Sequence, residues 1–325
     1  MKNNPLNIVS VDTATLSPPK KTSARDLAQS KFDRLWLQNP EQFDPTRNCM
    51  EKERLQRSLA LIESQGALNG KIAVDLGSGK GDFSRLLRDK GAQVTAVDIS
   101  ANAIKAFEAA GNTENISIQR DYVPKTLLDD SSFDVVIALD LIAYLDPSEY
   151  RLFFAEVARL VNSKGSVVCS TPVDIHSTNA LQQFADLAAT ELQIEKWIFS
   201  HHALYLSIKD FFLAPSRFLR ASKNKEYRKE ALAKRFFLNH YWFALNSTFP
   251  LSFFWKTVNF LFKPILNLLD HNRTLLLFLE KKSSFFFYNG GISHALFIAK
   301  RKPLIATADL LQQPIERKQK RQIWE

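Results

Sequence analysis

The sequence predicts an α/β protein built on a doubly wound, mainly parallel sheet, and three observations carry that reading. Short apolar runs rich in β-branched residues alternate with helical segments from residue 71 to about residue 200. The runs are nearly continuous in apolar residues, as strands covered on both faces must be. A glycine-rich turn, VDLGSGKGDFS (74–84), joins the first such strand to the first such helix.

Each element follows from its local pattern. Lys31 to Gln65 reads as helices, with Leu55, Leu59 and Ile62 one helical turn apart on an apolar face, and Gly66 and Gly70 end that stretch. KIAVDL (71–76) is a strand, DFSRLLRDK (82–90) a helix and AQVTAVDI (92–99) a strand. SANAIKAFEAAG (100–111) is a helix with a serine N-cap, and NISIQRD (115–121) a strand. FDVVIALD (133–140), GSVVCST (165–171) and QIEKWIFSH (193–201) are strands, with the helix PSEYRLFFAEVARLV (147–161) between the first two and a further helix after Pro172. Residues 210 to 290 leave the pattern, and ISHALFIAKRK (292–302) resumes it as a last strand.

At 325 residues, 45% apolar and 24% charged, the chain has an ordinary globular composition. Cys49 and Cys169 build neither a disulfide framework nor a zinc pattern, which fits a reducing compartment. No metal-ligand cluster or serine–histidine triad signature is present, and no internal repeat. The first residues lack an apolar signal core and read as a polar leader. The organisation predicted is a leader (1–25), an N-terminal helical lid (26–66), a sheet domain (67–210 with 291–303), a helical insertion (211–290) and a polar, basic tail (304–325).

The glycine turn narrows the ligand. Glycines permit tight turning and close backbone approach, and the following helix start supplies oriented N–H groups. Gly77, Gly79 and Gly81 give G-x-G-x-G, whereas a dinucleotide site places its third glycine one residue later, where Asp82 stands. Asp75 inside the motif would repel a pyrophosphate but suits an ammonium; its alternative role is to cap the strand end.

The stretch DLGSGKG resembles motif I of the class I S-adenosylmethionine-dependent methyltransferases, and four further pieces fall in the same order: VTAVDIS, SIQRDY, FDVVIALDLIAYL and GSVVCSTP. The resemblance covers residues 70–200 and resumes at 292–302. It implies a Rossmann-like, seven-stranded mixed sheet whose last strand is antiparallel and inserted beside the sixth. It implies S-adenosyl-L-methionine as cofactor, held by Asp75, Leu76, Gly77, Ser78, Gly79 and Gly81. Asp98, with Ile99, would take the ribose hydroxyls, and Asp121, with Tyr122, the adenine amino group. Asp140 and Leu141 end the fourth strand on the cofactor side. As alternatives, Asp98 is a helix N-terminal acid, Asp121 a loop acid and Asp140 a strand cap.

Methyl transfer is an in-line displacement that requires mainly alignment in a dry pocket, with a base only for some acceptors. His176, in TPVDIHS on the rim after the fifth strand, is the candidate base, with Asp140 and Tyr144 as further catalytic candidates; Tyr144 would lie over the sulfonium or belong to the core. His201 and His202 are weaker candidates.

The insertion supplies nearly all of the chain's net charge of +9: between Pro215 and Lys263, ten Lys or Arg face two Glu, a net of +8. In PLSFFWKTVNFLFKPILNLLD (250–270) a narrow polar stripe runs along an otherwise apolar helix, with Pro264 a candidate kink. A basic helix followed by an aromatic one suits an anionic membrane surface, contacted through 215–270, but equally a lid, a dimer interface or a packed helical subdomain. The resulting expectation is a cytoplasmic enzyme, peripheral on the inner membrane face, methylating a small, lipophilic or membrane-associated acceptor. The alternatives are a protein or RNA methyltransferase docking through the insertion, and a non-catalytic adenosylmethionine-binding scaffold.

Overall fold

A computed structural model describes residues 23–173, 179–224, 250–287 and 290–303. The seven strands are β1 (Ile72–Leu76), β2 (Gln93–Asp98), β3 (Ile116–Arg120), β4 (Phe133–Leu139), β5 (Val161–Pro172), β6 (Leu192–Ser200) and β7 (His294–Arg301). They form one sheet in the order β3-β2-β1-β4-β5-β7-β6. The first five are parallel, and β7 runs antiparallel between β5 and β6, as expected.

Successive residues of each central strand feed opposite cores. Val74, Leu76, Val136 and Val167 pack with Phe153, Phe154 and Val157 of α5 (Tyr150–Leu160) and Phe184 of α6 (Asn179–Glu191). Ala73, Val135, Ile137 and Val168 face the other way, toward Leu55, Leu61 and Ile62 of α2 (Cys49–Glu63) and Phe83 and Leu87 of α3 (Asp82–Asp89). Two buried faces on a period of two explain why these strands read as unbroken apolar runs.

Local chemistry sets the helix starts at the ligand edge. Ser100 caps α4 (Ala101–Ala109), its side chain accepting from the N–H groups of Asn102 and Ala103. The polar leader ends earlier than residue 25, because α1 (Ala24–Gln38) starts at Ser23 with a capping box to Asp26; residues 1–22 lie outside the described residues. Asp33 of α1 accepts from Ser100 Oγ at 2.7 Å, and Asn102 Nδ2 donates to the Asp33 carbonyl at 2.9 Å, so α1 is tied across the start of α4.

The insertion does not begin at 211: α7 (Ala203–Lys223) runs unbroken through that point, with Pro215 inside it. α8 (Leu251–His271) is likewise one helix carrying Pro264, and α9 (Arg273–Phe286) follows directly. Tyr205, Leu269, Leu276 and Leu279 form a third core with Cys49 at the start of α2. Arg57 of α2 makes a two-pronged pair with Glu280 of α9, at 2.7 and 2.6 Å, and Arg273 reaches Glu53 at 2.7 Å. The described part of the insertion is therefore bolted to α2, whose other face reaches the functional edge. Most of the basic segment 217–235, the run 236–249 and the tail 304–325 lie outside the described residues.

Candidate functional site

Strand order reverses between β1 and β4, and a crevice at the carboxyl ends of the strands is the geometric consequence. A cavity of about 270 Å³ occupies it. Gly77, Ser78 and Gly79 form one wall, with Asp98 and Ile99 from the end of β2 and Asp121 and Tyr122 from the end of β3. Asp140, Leu141 and Tyr144 close it from the end of β4, and Phe32 and Trp36 of α1 cover it. The expected lid thus falls on helix α1, which sequence periodicity had not resolved in detail.

The motif residues divide into two kinds. Leu76 and Gly81 do not reach the cavity wall. Leu76 is fully buried in the core under β1. Gly81 has φ +81° and starts α3, and a Cβ there would sit 2.0 Å from the ring of Phe107, so only glycine fits. Gly79, also at positive φ, lies under Trp36, with 3.3 Å between a hypothetical Cβ and the indole.

The acids differ in how they are held. Asp75 is buried and accepts a 2.6 Å hydrogen bond from Ser84 Oγ while still lining the cavity; burial pushes its carboxyl up to about 6, and nearby Asp98 adds to the shift. Asp98 accepts from Gly79 N at 3.0 Å and Ser100 N at 2.8 Å, and burial raises it in spite of those two donors. Asp121 accepts from the N–H groups of Tyr122 at 2.7 Å and Leu127 at 2.6 Å, and Arg25 of α1 lies 3.3 Å away. The Tyr122 hydroxyl donates to Glu149. Tyr144 is 43% exposed and packs against Phe32 and Phe43 (centroids 5.7 and 6.0 Å), on the cavity rim and not in the core.

Asp140 is the most heavily engaged. Its backbone sits at φ +58°, a conformation that Asp tolerates better than most residues, pinned by Asp140 N donating to Ser170 O and Oγ. Its carboxylate accepts from Ser170 Oγ and His294 Nε2, each at 2.7 Å, and from Arg54 of α2. Burial opposes its ionisation, but His294 and Arg54 outweigh burial and hold the carboxyl well below the usual range. Arg54 also pairs with Glu51 at 2.9 Å.

Behind this cluster lies a second chamber of about 170 Å³ that shares Glu51, Arg54 and Asp140 with the first. His202, His294 and Met50 are among its walls. Sequence reading missed Arg54 and His294 and ranked His202 low; the only local signal was a histidine opening an otherwise apolar last strand. His176 lies outside the described residues. Among the described residues no group of His, Cys, Asp and Glu could hold a metal.

The glycine turn, the strand-end acids and the covering helix meet at one cavity, and residues 74–169 match the family model described as "Methyltransferase domain". Residues 74–169 thus form a methyltransferase domain. A methyltransferase of Geobacillus sp. strain WCH70 is 28% identical over 150 residues, 45% of this chain and 55% of that protein. The ubiquinone biosynthesis O-methyltransferase of Bordetella pertussis is 29% identical over 154 residues, 45% of this chain and 62% of that one. The chain thus spans a little over half the length of these curated relatives. Among solved structures, the N-methyltransferase NodS of Bradyrhizobium japonicum WM9 with S-adenosyl-L-homocysteine is 17% identical at a TM-score of 0.45, over 53% of this chain and 89% of that one. The cavity suits S-adenosylmethionine chemically, since its sulfonium and ammonium would meet a wall carrying Asp75, Asp98 and Asp121.

Proposed function

We propose that the protein transfers a methyl group from S-adenosylmethionine to a small, lipophilic acceptor met at an anionic membrane surface, with the chain peripheral on the cytoplasmic face. The observation behind the membrane part is the outward side of α8 and α9. Of the 21 residues of α8 only Leu269 is buried. Phe253, Phe254, Phe260 and Leu261 of α8 and Phe285 and Phe286 of α9 are all more than half exposed. Lys256 and Lys263 stand exposed among them, in the segment that carries the +8 charge. Rings that enter a headgroup layer beside cations that attract it are what interfacial binding requires, and they fit poorly with core packing. Among the described residues no helix is long and apolar enough to cross a membrane.

The chemistry asks little of the protein beyond alignment and exclusion of water. Adenosylmethionine supplies a methyl group on a sulfonium, already activated toward displacement. In this reading Gly77 to Gly79 allow close approach, Asp75 takes the ammonium, Asp98 the ribose hydroxyls and Asp121 the adenine edge. Phe32, Trp36 and Tyr144 cover the cavity and keep water out. The Bordetella relative, named for O-methylation, is in keeping with a small acceptor.

Vesicle flotation combined with calorimetry tests the reading. The full chain should float with vesicles containing anionic phosphatidylglycerol and not with neutral phosphatidylcholine. It should also bind adenosylhomocysteine and not NADH. Replacing Phe253, Phe260 and Phe286 by Ser should abolish flotation while adenosylhomocysteine affinity is unchanged. Salt-sensitive RNA binding without flotation would replace this reading with a macromolecular acceptor.

A further inference from the structure

We propose that the aromatic roof over the glycine turn, made by Trp36, Phe43 and Tyr144, recognises the sulfonium charge of S-adenosylmethionine and so distinguishes it from the neutral thioether product. This deepens the methyltransferase reading above and rests on it.

Three elements put the rings in place. Trp36 comes from the last turn of α1, Phe43 from the short helical turn Pro40–Phe43 that follows, and Tyr144 from the turn Leu141–Tyr144 after β4. All three line the first cavity. The roof rests on both ends of the glycine turn. The indole of Trp36 lies 3.3 Å from a Cβ built on Gly79, and Leu141, which opens the turn carrying Tyr144, lies 3.0 Å from one built on Gly77. Trp36 stacks on Phe43 with centroids 5.0 Å apart, and Phe43 meets Tyr144 at 6.0 Å. The rings therefore form a continuous arc from one end of the turn to the other. Phe43 and Phe32 meet Tyr144 at 55° and 79°, so neither ring lies flat against it, and Tyr144 stays 43% exposed.

The protein's own cations are committed elsewhere. Lys80 pairs with Asp44 and Asp82, Arg47 with Glu51, and Arg54 with Glu51 and Asp140. Lys31 stands over Phe32, which is not part of the arc. Among the described residues no Lys or Arg stands over Trp36, Phe43 or Tyr144. The charges acting on the Tyr144 hydroxyl, those of Arg47, Arg54, Glu51 and Asp140, balance one another. Asp75 and Asp98, on the glycine-turn side, have only hydroxyl and amide donors. The cavity thus favours positive charge, with carboxylates at the turn and ring surface above it.

The kind of positive charge decides which partner it takes. An ammonium donates hydrogen bonds, and a carboxylate accepts them. A sulfonium has no N–H to donate, so ring faces are the partners suited to it. On transfer, the acceptor atom bonds to the methyl carbon and the electron pair of the broken carbon–sulfur bond stays on sulfur. The rings then face a neutral thioether and their attraction is gone. Because they act on charge already present before the reaction, they favour loading of the cofactor and release of the product, and do not speed the displacement.

Calorimetric titration of the full chain with adenosylmethionine and with adenosylhomocysteine, without acceptor, measures the preference. Tyr144→Leu and Phe43→Leu keep apolar bulk but remove the π face, and each should lower the preference for adenosylmethionine about fivefold. Tyr144→Phe keeps the ring and should keep the preference. A purely structural role would weaken both ligands alike, so an unchanged preference in both leucine variants would overturn the assignment. An equal loss in Tyr144→Phe and Tyr144→Leu would do the same, since it would trace the effect to the hydroxyl. A wild type that binds neither compound would instead sink the methyltransferase reading beneath it.

Discussion

Two sets of acids, buried or half-buried, stand at the same sheet edge and are treated in opposite ways. Asp75 and Asp98, on the β1–β2 side, have only hydroxyl and amide N–H partners, and no cation among the described residues pairs with either. Burial pushes both upward. Asp140, on the β4–β7 side, is met by Arg54 and His294 and is held low. The first set carries charge that no cation among the described residues offsets. The second is a finished ion cluster, and it serves as the wall between two chambers.

Breaking the finished cluster should have the largest effect. Arg54→Met keeps the side-chain volume but leaves Asp140 buried with one cation fewer, which should lower stability by about 3 kcal/mol in urea unfolding at neutral pH. The sign with pH is defined. Asp140 is depressed in the folded state, so its stabilisation is present above about pH 4 and lost as pH falls below that value. The variant's acid limb should therefore be shallower than that of wild type, and an unchanged midpoint would mean that Arg54 is not part of the wall.

Next comes the frame of the β1–β2 side. Gly81→Ala drives a methyl into the fully buried Phe107 at a positive φ and should lose about 2 kcal/mol. Gly111→Ala, at φ +69° with nothing within 4 Å, meets only the backbone penalty and should lose about 1 kcal/mol. Equal losses in thermal unfolding would show that contact with Phe107 plays no part.

The same contrast marks what the sequence could tell. The β1–β2 side is written locally: strand, glycine turn and helix occupy residues 71–90, and Asp98 and Asp121 each end a readable strand. Ser100 announced its own cap. The finished cluster is assembled from residues 54, 140, 170 and 294, which share no local pattern. Arg54 adjoins Leu55 on a helix whose apolar spacing drew attention to the face beside it, and His294 became significant only once β7 was placed between β5 and β6. The insertion's boundary was misread because composition changes near 211 while helix α7 does not.

One change sharpens the comparison most, because it should move stability and binding in opposite directions. Asp75 is raised from 3.8 to about 6 in the folded protein, so the unfolded chain loses its proton first. Folding stability from this group falls as pH rises from about 4 to about 6 and stays reduced above that. Asp75→Asn removes the buried charge and retains an acceptor for Ser84 Oγ, so the ligand-free protein should gain about 1–2 kcal/mol at pH 7. The full linkage value is larger, but the amide is itself a buried polar group. Adenosylhomocysteine, which keeps the ammonium, should meanwhile bind about tenfold more weakly to the variant. Wild-type affinity should fall as pH drops through about 6, where Asp75 gains a proton, and the variant should show no such step. A variant that is more stable and binds as tightly as wild type would place the ammonium elsewhere and leave Asp75 a strand-end residue bound to Ser84.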